Sequence, residues 1–377
     1  MRQLTTDHLT ELLADDDPPC MRRDGTSRFD CCARGERPAA PDSESPLMHR
    51  HGITLIELLV SMGVVAIIIA IALPAIQSAR ESARRMQCQN NIRQILLATQ
   101  SHHAAHGALP SFYNGTALPY PRQEWDLFHM HSWRVALLPY VEQSPLKDQI
   151  DWSSLATAAQ NARVAQSVVS TFICPSGGDP MNMGWGLKHK SIGVPASNIT
   201  EQDRYYIVRS DYDAMAGIQV LPDPLPPNTN VHSVDHVRWG IWGWPVFDTK
   251  TTTGSRLSRY RPGTFRDVTD GLSHTIAVVE RVGKPKDYLN GKPNVTRDNP
   301  NADYPGQSGW SASNTFVWSI NSNGVGINES NSAGIYSFHD GGANVGIADG
   351  SVRFLADSTD FETLVKLYGR ADGGLPE

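Results

Sequence analysis

ITLIELLVSMGVVAIIIAIALPAI, residues 53–76, is the stretch whose reading decides the fold. Its one charge is Glu57; the nineteen residues from Leu58 to Ile76 carry none. As a helix rising about 1.5 Å per residue it reaches about 36 Å. That exceeds the ~30 Å hydrocarbon core of a bilayer. The alternative is a core helix of a soluble protein, but such helices rarely lack a polar face for so long. The expectation is a membrane-spanning helix over 53–76, bent where Pro74 removes a backbone donor. The rest of the chain bounds the reading. It has 377 residues, 40% apolar and 19% charged, with 31 Gly and 25 Pro. Its mean hydropathy of −0.34 excludes a polytopic membrane protein. A net charge of −6 with no long basic run excludes a dedicated nucleic-acid binder.

The residues around the start of the block are His51-Gly52-Ile53-Thr54-Leu55-Ile56-Glu57. An ordinary secretory signal has a shorter apolar region and a small-residue cleavage site after it. This pattern instead resembles the type IV prepilin and pseudopilin signal: Gly, an apolar residue, then Thr-Leu-x-Glu. The resemblance implies that a prepilin peptidase cuts between Gly52 and Ile53 and that Ile53 is then N-methylated. Ile53 stands where Phe is commoner. The resemblance also implies other pilin-like subunits as partners and inner-membrane lipid around the helix. A carboxylate in an apolar helix is costly and normally functional. In a filament Glu57 would pair with a neighbour's N-terminal amine; alternatively it sits at headgroup level, where an anion suits the helix start. The motif places the N-terminus in the cytoplasm and the head in the periplasm or outside the cell. The flanking charges alone, Arg50 before the span and Arg80, Arg84 and Arg85 after it, do not favour that orientation.

Residues 1–52 then form a leader that is removed. Its acidic run Asp15-Asp16-Asp17, its prolines and its lack of period read as disorder. Met48-His49-Arg50-His51-Gly52 would make a short basic leader by itself, so translation starting at Met48 is the expectation, with a long cytosolic leader as the alternative. Of 33 basic and 39 acidic residues, 7 and 10 precede Ile53, leaving 26 and 29 and a net charge of −3. Of five cysteines, Cys88 and Cys174 remain. An even pair outside the cytoplasm points to one disulfide, with two separate buried thiols as the alternative.

Residues 77–107 continue the helix as an extracytoplasmic half, ended by Gly107 and Pro110. Ala75, Ala79, Ala83 and Met86 form one stripe; Ile92, Ile95, Leu96 and Thr99 form a later one. Residues 108–377 form a head of short apolar runs between turn signals. Residues 133–141 read as an amphipathic segment, and 168–174, 205–208 and 275–279 as strands. Residues 345–348 and 351–355 flank Asp349-Gly350, a hairpin signal. Residues 221–230 and 283–312 read as loops. The expected class is α+β: a long N-terminal pilin-like helix, half transmembrane and half amphipathic, packed on a mainly antiparallel β head.

Several segments then resemble one family in order. They are Cys88-Gln89-Asn90-Asn91-Ile92, Ser132-Trp133 with Leu137-Leu138-Pro139-Tyr140-Val141-Glu142-Gln143, Phe172-Ile173-Cys174-Pro175-Ser176, Ser210-Asp211-Tyr212, residues 267–276, and His339 to Gly350 in an H-x9-DG pattern. The head therefore resembles the DUF1559 proteins, which carry a prepilin N-terminus and have no well-defined activity. The departures are Asp211, His274 and Asp340.

The H-x9-DG segment offers His339 and Asp349 as an acid–base pair if the chain folds back. A structural role accounts for the same residues as turn, strand and turn. Asp340, Asn344 and Asp349 are hard oxygen donors and weak calcium candidates. His102, His103 and His106 could present two imidazoles on one helix face, or simply end the helix. Trp239, Trp242 and Trp244 are near-alternate; Trp242 and Trp244 on one side of a strand could stack on sugar or pack in the core. No phosphate loop, nucleophile elbow or zinc pattern is present. The chain is expected not to be an enzyme and to need no cofactor. The leading expectation is a pilin-like structural subunit of a type II secretion or type IV pilus-like system. The alternative is a cell-surface protein binding a glycan or solute and using the signal for export.

Overall fold

The computed structural model describes residues 54–116, 130–178, 185–187, 204–219, 237–248, 256–284, 286–294, 309–312, 316–320, 326–331 and 334–370. The expected leader, the cleavage junction at Gly52 and Ile53, and the loop at 221–230 lie outside them.

A single helix, α1 (Leu55–His106), runs through Pro74 without a break. The chain divides into two units, Met1–Met62 and Gly63–Glu377. In the first, the described residues are the helix start, where Thr54 N–H and Oγ1 both donate to Glu57 Oε2 at 2.9 Å. In the second, α1 continues and the head follows. Large apolar side chains from Leu55 to Ile76 are exposed, as suits a segment whose apolar surface meets lipid.

The strands are β1 (Trp185–Leu187), β2 (Arg204–Tyr206), β3 (Tyr212–Gln219), β4 (Val237–Trp239), β5 (Gly243–Asp248), β6 (Arg256–Pro262), β7 (Ile276–Glu280), β8 (Tyr288–Leu289), β9 (Lys292–Pro293), β10 (Phe316–Ile320), β11 (Gly342–Ile347) and β12 (Val352–Ala356). The main sheet has the order β10-β3-β7-β11-β12, with β4 also on β3. Its pairs are antiparallel except β10 with β3. The remaining strands form the hairpins β1–β2, β5–β6 and β8–β9.

Strand period 2 separates the two faces of the sheet. Tyr212, Ala214, Ala216 and Ala277 join Ile92, Ile95 and Leu96 of α1 in one core. Met215, Ile276, Val345 and Ile347 join Leu364, Leu367 and Tyr368 of the C-terminal helix Phe361–Tyr368 in the other. Of the two expected stripes the later one packs, with Ile92, Ile95, Leu96 and Thr99 all buried, and the earlier one does not. Ala75, Ala79, Ala83 and Met86 are exposed, and the contact face starts at half-buried Glu81 and Arg85 and runs through Cys88, Asn91, Ile92 and Ile95.

The H-x9-DG segment lies along α1 in the same chain direction. His339 meets Glu81, Asn344 meets Gln89, Gly346 sits against Ile92 and Leu96, and Gly350 against Gln100. A Cβ on Gly346 would lie 2.7 Å from Ile92 Cγ2. That methyl belongs to a stiff β-branched side chain. Gly346→Val is therefore expected to cost about 1–3 kcal/mol of overpacking, read as a lower denaturation midpoint of the head.

Several local expectations are corrected. Residues 168–174 are not a strand: Ser170–Phe172 form a 3-10 turn. Their carbonyls have other partners. Asn91 Nδ2 donates to Ile173 O at 2.9 Å, and Asp211 N to Phe172 O. The 133–141 segment is not amphipathic, because Trp133, Arg134, Val135 and Leu137 are all buried. Within 283–312 stands the β8–β9 hairpin, whose Asn290-Gly291 turn has positive φ at both residues (48° and 77°). In the Asp349-Gly350 turn only Gly350 is left-handed (φ 95°). The expected strand over 205–208 ends at Tyr206, and that over 275–279 is shifted by one residue to Ile276–Glu280.

Candidate functional site

Where α1 first touches the sheet, the fold gathers a disulfide, a histidine and two carboxylates. Glu81 and Cys88 lie seven residues apart, two helical turns, and so share a face. Cys174 ends the turn that Asn91 holds. Glu280 closes the wholly buried strand β7. His339 precedes β11. Cys88 and Cys174 form a disulfide with a Cα separation of 5.4 Å.

His339 is the hub. Its Nδ1 lies 2.7 Å from Glu81 Oε1, and its Nε2 lies 3.5 Å from Glu280 Oε1 and 3.8 Å from Cys174 Sγ. Both ring nitrogens thus face acceptors, the arrangement of an imidazolium. Burial opposes that charge, but the carboxylates of Glu280 and then Glu81 more than offset it and hold the pKa above the ordinary histidine value. Glu280 is held in turn by Asn344, whose N–H donates to Oε2 at 2.7 Å and whose Nδ2 donates to Oε1 at 3.1 Å.

A second polar cluster adjoins the first through Cys174, whose N–H donates to Asp211 Oδ2 at 2.8 Å. Arg209 Nε donates to the same oxygen at 2.9 Å. Asp213 pairs with both Arg134 and Arg281. All five side chains are buried. Burial pushes the Asp211 carboxyl up to about 7 against the pull of Arg209. An open cleft of about 570 Å³ borders the site, lined by Glu81 and His339 together with Asn290, Asn328, Tyr336 and Phe338.

The expected acid–base pair does not form. The six residues of β11 separate His339 from Asp349, about 20 Å of strand, and Asp349 Oδ1 caps Ser351 N–H at 2.8 Å. The calcium candidates do not converge either. Asp340 is exposed, Asn344 is spent on Glu280 and Gln89, and Asp349 sits at the far turn. His102 Nδ1 bonds Ala108 O and His106 Nδ1 bonds His102 O, so these rings finish the helix end. Trp242 is in the turn before β5 rather than on a strand. It is fully buried, donates to Ala277 O at 2.7 Å and packs on Trp133, so it belongs to the core; the Trp244 side chain lies outside the described residues.

Sequence reasoning did not assign Glu81, Glu280 or the arginine–aspartate cluster. Glu81 was legible as a face-mate of Cys88. Glu280 and Asp213 were not, because their partners are brought in by pairing between strands distant in sequence.

Two family models match the chain: the prokaryotic N-terminal methylation motif over residues 47–73, and the protein of unknown function DUF1559 over residues 77–362. The chain belongs to the DUF1559 family. No curated protein and no solved structure matches it. The DUF1559 match covers most of α1's packed half, the main sheet and every member of the disulfide–histidine site. The methylation motif marks a pilin-like surface protein related to type IV pilus and type II secretion systems, with processing by a prepilin peptidase. With the apolar first half of α1 it makes a single-pass membrane anchor.

In the disulfide-bonded DUF1559 head, His339 joins the spine helix to the sheet electrostatically, which sets a pH dependence. Its pKa is raised on folding, so its stabilisation is full below about pH 6.5 and is lost as pH rises through the higher folded value. The expected result is that oxidised wild type exceeds His339→Gln in thermal midpoint at mildly acidic pH and that the gap closes on the alkaline side. A gap constant across that range would show that packing, not charge, is what His339 contributes.

Proposed function

We propose that this DUF1559 protein is a membrane-anchored pilin- or pseudopilin-like structural subunit of a type II secretion or type IV pilus-like system, and not an enzyme. Prepilin peptidase cuts it between Gly52 and Ile53. Its N-terminus lies on the cytoplasmic side of the inner membrane and its head on the periplasmic or extracellular side. The observation that carries this reading is the division of α1. Its first half bears apolar side chains all round and carries the methylation motif, while its second half is stitched to the sheet by a disulfide and an ion-paired histidine. A helix whose second half is fixed to its head suits a subunit that packs helix against helix.

Glu57→Ala tests it. The expected result is loss of crosslinks to pilin-like neighbours, with membrane insertion and processing retained. Unchanged crosslinking would leave the helix as an anchor only. The second reading, a surface protein that binds glycan or solute, rests on the cleft beside His339, whose Asn290, Asn328, Tyr336 and Phe338 offer amide and aromatic groups. Retention of a glycan by the full chain, lost on Asn328→Ala, would favour it.

A further inference from the structure

The disulfide site also holds the donor set of a second chemistry. Cys88, Cys174, Glu280 and His339 place one ligand atom each within 4.8 Å of one another, all in buried side chains. We propose that in its dithiol state, through which every chain passes before the disulfide closes, the head binds one Zn²⁺ through these four residues, so that metal and disulfide are alternative contents of one site.

The distances fit. Zinc bonds of about 2.3 Å to sulfur and about 2.05 Å to nitrogen or oxygen, at tetrahedral angles, set N···O near 3.3 Å and S···N near 3.6 Å, as approximate values. The site has His339 Nε2 3.5 Å from Glu280 Oε1 and 3.8 Å from Cys174 Sγ. The other pairs of ligand atoms lie within 4.8 Å, and the two sulfurs must part to roughly 3.8 Å. Two thiolates with an imidazole in a tetrahedral set select zinc over harder cations.

The surroundings fit as well. Glu81 Oε1 at 2.7 Å from His339 Nδ1 supplies the carboxylate that orients a metal-bound imidazole and fixes its tautomer. Asn344 N–H holds Glu280 Oε2 at 2.7 Å, which orients the carboxylate. Glu81 and His339 line the open cleft, which provides an entry path to a buried set.

The steps balance. Zinc entry turns two thiols into two bound thiolates and displaces the proton of His339 Nε2, so three protons are released. Disulfide closure then passes two electrons to a disulfide oxidant, which takes up two protons and becomes two thiols, while Zn²⁺ leaves unchanged and His339 Nε2 takes its proton back. Zinc binding does not depend on the assembly role of Glu57.

The test uses the full chain with Cys20→Ser, Cys31→Ser and Cys32→Ser, so that Cys88 and Cys174 are its only cysteines, in detergent, reduced with a phosphine under argon and titrated with Co²⁺ and then Zn²⁺. The expected result is one equivalent of Co²⁺ giving the strong visible bands and sulfur charge-transfer absorption of a tetrahedral thiolate site, bleached by Zn²⁺. The disulfide-bonded chain should give none. Glu81→Gln, which alters only the orienting carboxylate, should weaken affinity by about 10- to 100-fold, and Glu280→Gln should change the cobalt spectrum. If reduction unfolds the head, Zn²⁺ should restore its circular dichroism, because binding and folding are then coupled. Reduced chain that gives no cobalt bands, or bands indifferent to both glutamate variants, or an unfolded reduced head that zinc does not rescue, would overturn the proposal.

Discussion

Opening the Cys88–Cys174 disulfide with metal chelated away is expected to destabilise the head by about 4–5 kcal/mol, the chain-entropy value for a loop of this length. The two cysteines are 86 residues apart. The loop they close contains the buried helix around Trp133 and ends where Asn91 holds the 170–173 turn. Without the bond the denatured chain regains that loop freedom, while the native contacts stay the same. Urea denaturation of oxidised protein against Cys88→Ala/Cys174→Ala reads the effect as a lower midpoint. A shift below about 1 kcal/mol would mean that the core around the two buried positions supplies the stability without the bond.

The second large effect is expected at Asp213. Its carboxylate pairs with Arg134 from the Trp133–Leu137 helix and with Arg281 beyond β7. Arg134 also donates to Tyr212 O, but that carbonyl carries no formal charge. Asp213→Asn leaves two buried guanidiniums without their shared counter-ion, at a cost of about 3–5 kcal/mol. The change is nearly isosteric, so a loss measured by urea denaturation reports charge rather than volume. Removing all three charges together, with Arg134→Met and Arg281→Met added to Asp213→Leu, should recover much of the loss, since apolar replacement of a buried ion cluster is often close to neutral. A loss under 1 kcal/mol for Asp213→Asn alone would show that Arg209, Asp211 and the backbone carbonyls compensate.

The two effects differ in what announced them. The cysteines stood out once residues before Ile53 were set aside, because two were left. Asp213 gave no such sign: an acidic residue two positions after another acidic residue reads as a turn or an exposed edge. It is buried because β3 is an interior strand of the main sheet, paired with β10, β4 and β7, and it is tolerated because Arg134 arrives from a segment 79 residues earlier. The expected strand at 168–174 failed for a related reason. Its composition is β-prone, but a strand needs a neighbour's backbone, and here Asn91 and Asp211 took the hydrogen-bonding groups. Asn290-Gly291 shows the opposite case, a turn pair that was legible and was passed over inside a long polar segment.

The sequence by itself determined the anchor and the family. The 24 residues 53–76, whose one charge is the Glu57 of a Gly-Ile-Thr-Leu-x-Glu pattern, pointed to a membrane span, since hydropathy and helix rise are local properties. The H-x9-DG spacing likewise contained its own strand and turn. Only the tertiary structure decided what His339 does. The same spacing that hinted at a partner in Asp349 puts that residue a full strand away, because β11 is extended. The partners are instead Glu81, brought by the spine helix, and Glu280, brought by the adjacent strand. Ion pairs and ligand sets across elements depend on which backbones lie side by side, and that is set by the burial of the whole sheet, not by any one segment.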